Sequence, residues 1–239
     1  MSQTRPDPGL PSEGLSRPPT VEVALEIGKR RVFASAVAWP GWCRQGRTEA
    51  EALEALWSMA PAYEALVGRG LGFVAPQDLT HLRVVERIVG NATTDFGAPG
   101  QPLASDQARR CTQEEQRRLE AILAAAWDAF DAAVAGARGV DLRQGPRGGG
   151  RSLEAIEAHV LEAEASYVSA LGGKVPREDF PPYAARRRAV LETLRASGAG
   201  EIPEQGPRGA GRWTARTFVR RAAWHLLAHA WEIERRRVR

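Results

Sequence analysis

The spacing of apolar residues changes along this 239-residue chain, and the change predicts two structural units. From Val21, the run VEVALEI alternates apolar and polar residues, GKR follows as a turn, and RVFASAVAW is rich in β-branched and aromatic residues. This pattern is typical of a β-hairpin. Beyond Thr112, apolar residues recur at helical spacing in four long segments. We therefore predict an α+β fold, with a small β-β-α-β N-terminal domain followed by an up-and-down four-helix bundle.

The predicted N-terminal domain covers residues 21–90. Thr48-Glu49-Ala50-Glu51 has the pattern of a capping box, in which Thr48 caps a helix and Glu51 returns to the cap. The helix that it opens runs through EALEALWSMAPAYEALVG, and Pro61 is expected to bend or split it. The run LRVVERIV at residues 82–89 predicts a third strand. We interpret WPGWCRQG, between the hairpin and the helix, as a loop.

Two segments lack this periodicity. Residues 1–20 contain five prolines and little apolar bulk, so we expect a disordered tail. Residues 91–111 are rich in glycine and proline and are expected to form a linker. The remaining residues, 112–239, form the predicted bundle, and Thr112-Gln113-Glu114-Glu115 is a second capping box at its start. Its four helices are predicted at about 112–135, 152–171, 183–197 and 214–237.

Composition narrows the possible classes of function. No apolar run reaches the roughly 18 to 20 residues of a membrane span, so no membrane contact is expected. The N-terminus lacks an apolar signal segment, which favours a cytoplasmic location. Two cysteines, Cys43 and Cys111, are too few for a disulfide scaffold. The net charge of +4 permits an anionic partner, but 29 acidic residues are spread through the same segments, so nucleic acid is not indicated.

Three of the four histidines lie in the predicted bundle. His225 and His229 are four residues apart, so they project from one helix face about 40° apart and at the edge of its apolar arc. His159 has an equivalent position on the second helix. Three neutral imidazoles at the mouth of a bundle suit a divalent metal such as Zn, Ni or Fe and leave coordination positions open. Alternatively, each histidine only packs its ring at the boundary of the core.

An eight-residue segment occurs twice, as QGPRGGGR at residues 144–151 and QGPRGAGR at residues 205–212. Each copy precedes a helix with histidine, and its glycines would let the backbone approach a ligand. Its two arginines could pair with a carboxylate or a phosphate. Flexible loops, or duplication of a helix pair, would explain the repeat without a ligand. The candidate substrate-binding residues are Arg147, Arg151, Arg208 and Arg212.

The C-terminal part, about residues 106–239, resembles the DinB/YfiT-like metal-binding four-helix bundles. The resemblance depends on helix order and on His159 in IEAH, and on His225 and His229 in WHLLAH. It implies that these histidines bind a divalent metal. The family includes transferases and isomerases that use low-molecular-weight thiols such as mycothiol or bacillithiol, so the resemblance implies a small-molecule thiol or electrophile as partner. A metal with open positions would hold the thiol as a nucleophilic thiolate.

The segment PGWCRQGRTEAEAL, from Pro40 to Leu53, resembles HicB-like antitoxin domains. This resemblance implies a small RNase-H-like or dsRBD-like arrangement of strands and a helix. A tryptophan precedes the cysteine here, and no DNA-binding segment follows. We therefore interpret the unit as an interaction module or a cover for the substrate. Cys43 within it is either a reactive thiol or a small packed side chain.

The leading hypothesis is a metal- and thiol-dependent transferase or isomerase. The alternatives are a non-catalytic binding protein, whose HicB-like module contacts a protein or RNA, and a bundle that keeps the metal without catalysis. Glu232 either orients a ligand histidine or is a solvated surface residue. Trp224 and Trp231 lie off the main apolar arc of the last helix, so we expect them to contact the N-terminal module or a second subunit in a homodimer.

Overall fold

The computed structural model describes residues 20–144, 150–177 and 183–238. It is an α+β fold in which a four-stranded mixed sheet precedes four long helices, so the predicted class is confirmed. The predicted tail lies outside the described residues except for Thr20. The strands run in the order β3-β2-β1-β4 across the sheet, with bounds β1 Val21–Ile27, β2 Val32–Ala36, β3 Cys43–Gly46 and β4 Leu82–Val89.

The sheet is covered on both faces. β1 is antiparallel to β2 and parallel to β4, and helices α1 (Glu49–Ser58) and α2 (Ala60–Leu71) lie in the crossover that a parallel pair requires. One face of the sheet presents Val23, Leu25 and Ala34 to the core that also holds residues of α1 and α2. The opposite face carries Phe33 and Cys43, which pack toward the last helix. This second face also forms the floor of a cavity, which is described below.

One detail of the N-terminal unit differs from the predicted β-β-α-β order. The segment interpreted as a loop contains the short strand β3, which pairs with β2. The predicted helix is split at Met59, as Pro61 indicated. Thr48 caps α1 by accepting a hydrogen bond from the Glu51 amide at 3.2 Å, but the Glu51 carboxylate accepts from the Arg47 amide at 2.8 Å rather than from the cap residue.

The segment predicted as a linker has structure of its own. It contains helix α3 (Ala92–Phe96) and a 3-10 helix (Ala104–Gln107). Thr94, Leu103 and Asp106 are buried within it. A flexible tether would not bury these side chains, so the segment packs as part of the interface between the sheet and the long helices.

The four long helices lie close to their predicted positions, with bounds α4 Gln113–Ala137, α5 Leu153–Leu171, α6 Ala184–Ala199 and α7 Ala215–Arg236. They share a core of large apolar side chains, among them Ile122, Leu123, Ile156, Leu171, Val190, Leu194, Phe218 and Ile233. Helix α7 contacts each of the other three. No helix in the described part of the chain is long and apolar enough to pass through a membrane.

Helix α7 is enclosed by the rest of the molecule, because no residue from 215 to 233 is exposed. On its sheet side, the Trp224 ring meets the Phe33 ring edge-on, with centroids 6.1 Å apart. The Arg44 guanidinium lies 4.0 Å from the centre of the Trp231 ring. These contacts confirm the prediction that the two tryptophans of α7 join the N-terminal unit to the helices.

Gly41 brings the N-terminal unit against α7, and we expect its replacement to loosen this contact. Its φ is +93°, and a Cβ there would lie 3.1 Å from both the Ala223 Cβ and the Leu227 Cδ1. Gly41→Ala should therefore lose about 1–2 kcal/mol of unfolding free energy to backbone strain, and about 1–3 kcal/mol more to overpacking. Urea denaturation measures both changes.

Gly72 provides the matched control. Its φ is +70°, but nothing lies within 4 Å of a Cβ built on it. Gly72→Ala should show the backbone cost without the packing cost. Equal losses for the two variants would mean that Gly41 is not a close contact between the units.

Candidate metal centre

Two helices position the three histidines of the predicted metal site. Helix α7 starts after Thr214, whose hydroxyl accepts a hydrogen bond from the Thr217 amide at 3.2 Å. It carries His225 and His229, which are one turn apart on the same face. Helix α5 starts after a serine cap and carries His159. Because α5 packs against α7, residues 66 positions apart meet across the helix interface.

The three rings converge, as the sequence predicted. One ligand atom from each of His159, His225 and His229 lies within 4.8 Å of the other two. The Nε2 atoms of His225 and His159 are 3.2 Å apart. Two nitrogens bound tetrahedrally to one zinc ion at bond lengths of about 2.0–2.1 Å would be separated by about 3.3–3.4 Å. The cluster is therefore compact enough for all three imidazoles to bind one ion.

Burial keeps part of this cluster neutral. Desolvation is the main cause that lowers the pKa of His225 from 6.5 to about 2, and the charges of His229 and His159 act in the same direction. The pKa of His159 is also lowered, first by burial and then by the nearby charge of Arg151. At neutral pH both rings are uncharged, so each keeps a nitrogen lone pair for a metal.

A carboxylate fixes the orientation of the third ring. The Glu232 Oε2 atom lies 2.9 Å from the His229 Nδ1 atom, and a carboxylate only accepts, so Nδ1 carries the proton. In this tautomer Nε2 is the ring nitrogen that can bind a metal. Arg236 donates to the other Glu232 oxygen at 2.7 Å. The hydrogen bonds from His229 and Arg236 hold the pKa of Glu232 down to about 2, so the carboxylate stays ionised. The contact of Glu232 with a candidate ligand histidine, which was one of the two predictions for Glu232, is therefore present.

The sequence analysis did not identify two groups next to the cluster. The Tyr167 ring meets the His225 ring edge-on, with centroids 5.8 Å apart. The Arg221 guanidinium lies 5.6 Å from the centre of the Tyr167 ring and 5.0 Å from that of Trp224. Helical spacing could have indicated both residues. Arg221 precedes His225 by four residues and Tyr167 follows His159 by eight, so each lies on the same side of its helix as the histidine.

Three of the four candidate arginines of the repeated segments lie within the described residues, near opposite ends of α7. Arg147 is outside the described residues. Arg151 is exposed, and its carbonyl accepts from Arg236 at the C-terminal end of α7. Arg208 is exposed and Arg212 half-buried, and both precede the N-terminal end of this 22-residue helix, which is about 33 Å long. The structure therefore brings Arg151 near the histidines, whereas Arg208 and Arg212 lie at the other end of α7.

Cys43 has the environment of a packed side chain. It is buried at 3% exposure and belongs to a small apolar cluster with Phe33 and Trp224. Burial raises the pKa of its thiol from 9.0 to about 11. Because the thiolate is the reactive form, Cys43 is an inert thiol at neutral pH.

Searches for related proteins add no identification, because no family model, curated protein or solved structure matches this chain. The resemblances to DinB-like and HicB-like proteins thus stay predictions from the motifs quoted above. What the structure contributes is the geometry of the three histidines and of the groups around them.

Proposed function

We propose that His159, His225 and His229 hold one divalent metal ion, and that the protein is a transferase or isomerase that uses a low-molecular-weight thiol. In this proposal, α4 to α7 form a DinB-like four-helix bundle, and the thiol is of the mycothiol or bacillithiol kind. The observation that carries the proposal is the convergence of three imidazoles from two helices within 4.8 Å. Imidazole ligands suit Zn, Ni or Fe.

The donor set fits such an ion in three respects. His225 and His159 are neutral at physiological pH because their pKa values are lowered. Their Nε2 atoms are 3.2 Å apart, close to the spacing of two ligands on one metal. Glu232 holds the proton of His229 on Nδ1, which is the usual arrangement of a metal-binding histidine and its carboxylate partner.

When bound, such an ion supplies Lewis acidity, which lowers the pKa of a thiol and favours the nucleophilic thiolate at neutral pH. The chain itself supplies orientation and charge. Glu232 fixes the ring of His229. Arg151 places a positive charge near the cluster, where it would attract carboxylate groups of the thiol or its electrophile. The half-buried Tyr167 ring and the buried Trp224 ring cover His225 and limit the access of water to it.

Metal binding by untagged protein tests the proposal. After treatment with a chelator, titration with Zn²⁺, Ni²⁺ or Fe²⁺ should show one equivalent bound per chain by calorimetry. Metal at a hundred times its Kd should stabilise the fold by about 2.7 kcal/mol, which corresponds to a melting-temperature rise of about 5–10 °C. If no metal binds stoichiometrically, the site is only a packed histidine cluster. Transfer assays with mycothiol and bacillithiol then test the enzymatic part.

A second candidate function is a non-catalytic binding protein, with the HicB-like unit as its contact to a protein or RNA. The observation that favours it is apolar surface near the edge strand β4. Val89 at the end of this strand is 84% exposed, and Phe96 of α3 is 92% exposed. This alternative predicts no metal-dependent stabilisation, so the titration above distinguishes the two functions.

A further inference from the structure

A cavity of about 370 Å³ lies where the sheet meets α5 and α7. Its floor is the second face of the sheet, including Ala24, Ser35 and Cys43, and the segment after α3 closes one side. Small-molecule sites commonly occupy about 300–1,000 Å³ at such junctions between units. The cavity is separate from the histidine cluster, since none of the three histidines lines it.

Aromatic side chains form the helix side of the cavity. Tyr167 of α5, Trp224 of α7 and Trp213, which precedes α7, all line it. The rings of Tyr167 and Trp213 are 5.5 Å apart between centroids and tilted by 30°. Offset and tilted arrangements of this kind are the ones that aromatic rings adopt with one another. The wall therefore suits a planar, apolar ligand.

The acidic groups of the cavity are already satisfied by the protein. Glu26 accepts hydrogen bonds from the amides of Gly100 and Gln101, at 2.8 and 3.1 Å, and from the Thr94 hydroxyl. Asp106 accepts two hydrogen bonds from Arg220, at 2.6 and 2.9 Å. Neither carboxylate is free to attract a cation.

Arg221 is a charged residue of the cavity lining. Its Nη1 donates to the Pro99 carbonyl, and no acidic side chain within residues 20–144, 150–177 and 183–238 pairs with it. A guanidinium has five N–H donors, so most of its donors remain for a ligand. The rings of Tyr167 and Trp224, with centres 5.6 Å and 5.0 Å from the guanidinium carbon, hold the charge at the cavity wall. An arginine held in this way can bind a carboxylate through two hydrogen bonds.

We propose that this cavity binds a small aromatic carboxylate, with its acid group on Arg221 and its ring against Tyr167, Trp213 and Trp224. The cavity volume admits a molecule of one or two rings. Arg220 takes no part, because its donors are used by Asp106 and by the carbonyls of Ala36 and Val37. Ligand binding in this cavity does not require a metal, so it can be tested independently of the proposed metal site.

Calorimetry with two probes of nearly equal shape tests the charge requirement. We expect 2-naphthoate to bind the wild-type protein in the presence of a chelator, and the neutral 2-naphthalenemethanol to bind at least tenfold more weakly. The chelator removes any metal, so the result does not involve the histidine cluster. Equal affinities, or no binding of 2-naphthoate at millimolar concentration, would overturn the proposal without affecting the metal site.

Two pairs of variants test the location. Arg221→Gln should weaken 2-naphthoate binding at least tenfold, whereas Arg235→Gln, at an exposed position of the same helix, should leave it unchanged. Ala170→Phe should fill the cavity and abolish binding, and Ser169→Phe, exposed on the same helix, should not. Wild-type affinity in a folded Arg221→Gln variant would contradict the assignment. Should that variant not fold, the two probes on the wild type still decide.

Discussion

Alanine in place of His225 is expected to lower metal affinity by about 100-fold or more, since losing even a hydrogen-bonding partner of a ligand costs about 10- to 100-fold. The same reasoning applies to His159 and His229. The metal-dependent rise in melting temperature should disappear in each variant. The quantity to compare is the difference between melting temperatures with metal and with chelator, because it cancels changes in the stability of the metal-free fold.

Two further variants make this test specific. His81→Ala changes the one histidine outside the cluster, which lies in a surface 3-10 helix against Asp78, and should keep the full metal-dependent rise. Glu232→Gln should give an intermediate loss of about 10- to 100-fold, because it removes the carboxylate that orients His229. If the His225 and His81 variants bind metal equally well, the three-histidine site is wrong.

The second large effect concerns the buried ion pair between Asp106 and Arg220. Asp106 is 1% exposed, and Arg220 also donates to the carbonyls of Ala36 and Val37 at the end of β2. Asp106→Ala would leave a buried guanidinium without its counterion, which costs about 3–5 kcal/mol of unfolding free energy. The free energy from urea denaturation is the measurement.

A surface pair supplies the comparison. Glu22 and Arg83 also form an ion pair, but their side chains are 46% and 63% exposed. Glu22→Ala should therefore change stability by only about 0–1 kcal/mol. Replacing both members of the buried pair by apolar residues should recover much of the loss. A small effect of Asp106→Ala would show that the interface between sheet and helices tolerates a free charge.

The long helices and the meeting of the histidines could be predicted because their signals are local. Caps and helical spacing identify α4 to α7, and the place of each histidine on its apolar arc indicates which faces meet. The hydrogen-bond partners of the capping residues were less predictable. Thr112 caps α4 by accepting from the Glu115 amide at 3.1 Å, but the Glu115 carboxylate pairs with Arg216 of α7 at 2.6 Å instead of completing the capping box.

The short strand β3 could not be read from the sequence. Its four residues, CRQG, have no apolar alternation, and the strand exists because it pairs with β2 and lies beside α1. Its stability therefore comes from tertiary contacts, which a local pattern does not contain. Cys43 was predicted in a loop for the same reason.

The sequence pattern did not predict the cavity, because Glu26 in β1 has the pattern of an exposed residue but is buried. In VEVALEI, the alternation places Glu26 with the polar residues, yet it is 4% exposed. Its carboxylate is buried because the amides of Gly100 and Gln101, far along the chain, donate to it. Which side chains face one another across the sheet and α7 depends on this long-range packing, so a local pattern does not place Arg221 at a cavity.

Because no residue of α7 from 215 to 233 is exposed, substitutions in this part of the helix affect the packing around it. The same 22-residue helix holds two of the candidate metal ligands, the cationic wall of the cavity and the contact with Gly41. A substitution that shifts α7 to improve one of these sites also moves the residues of the others. Substitutions in α7 that change the ligand preference of the cavity are therefore expected to alter metal affinity and domain packing as well. We expect selection for a new ligand to change residues of α5 and of the segment after α3 first.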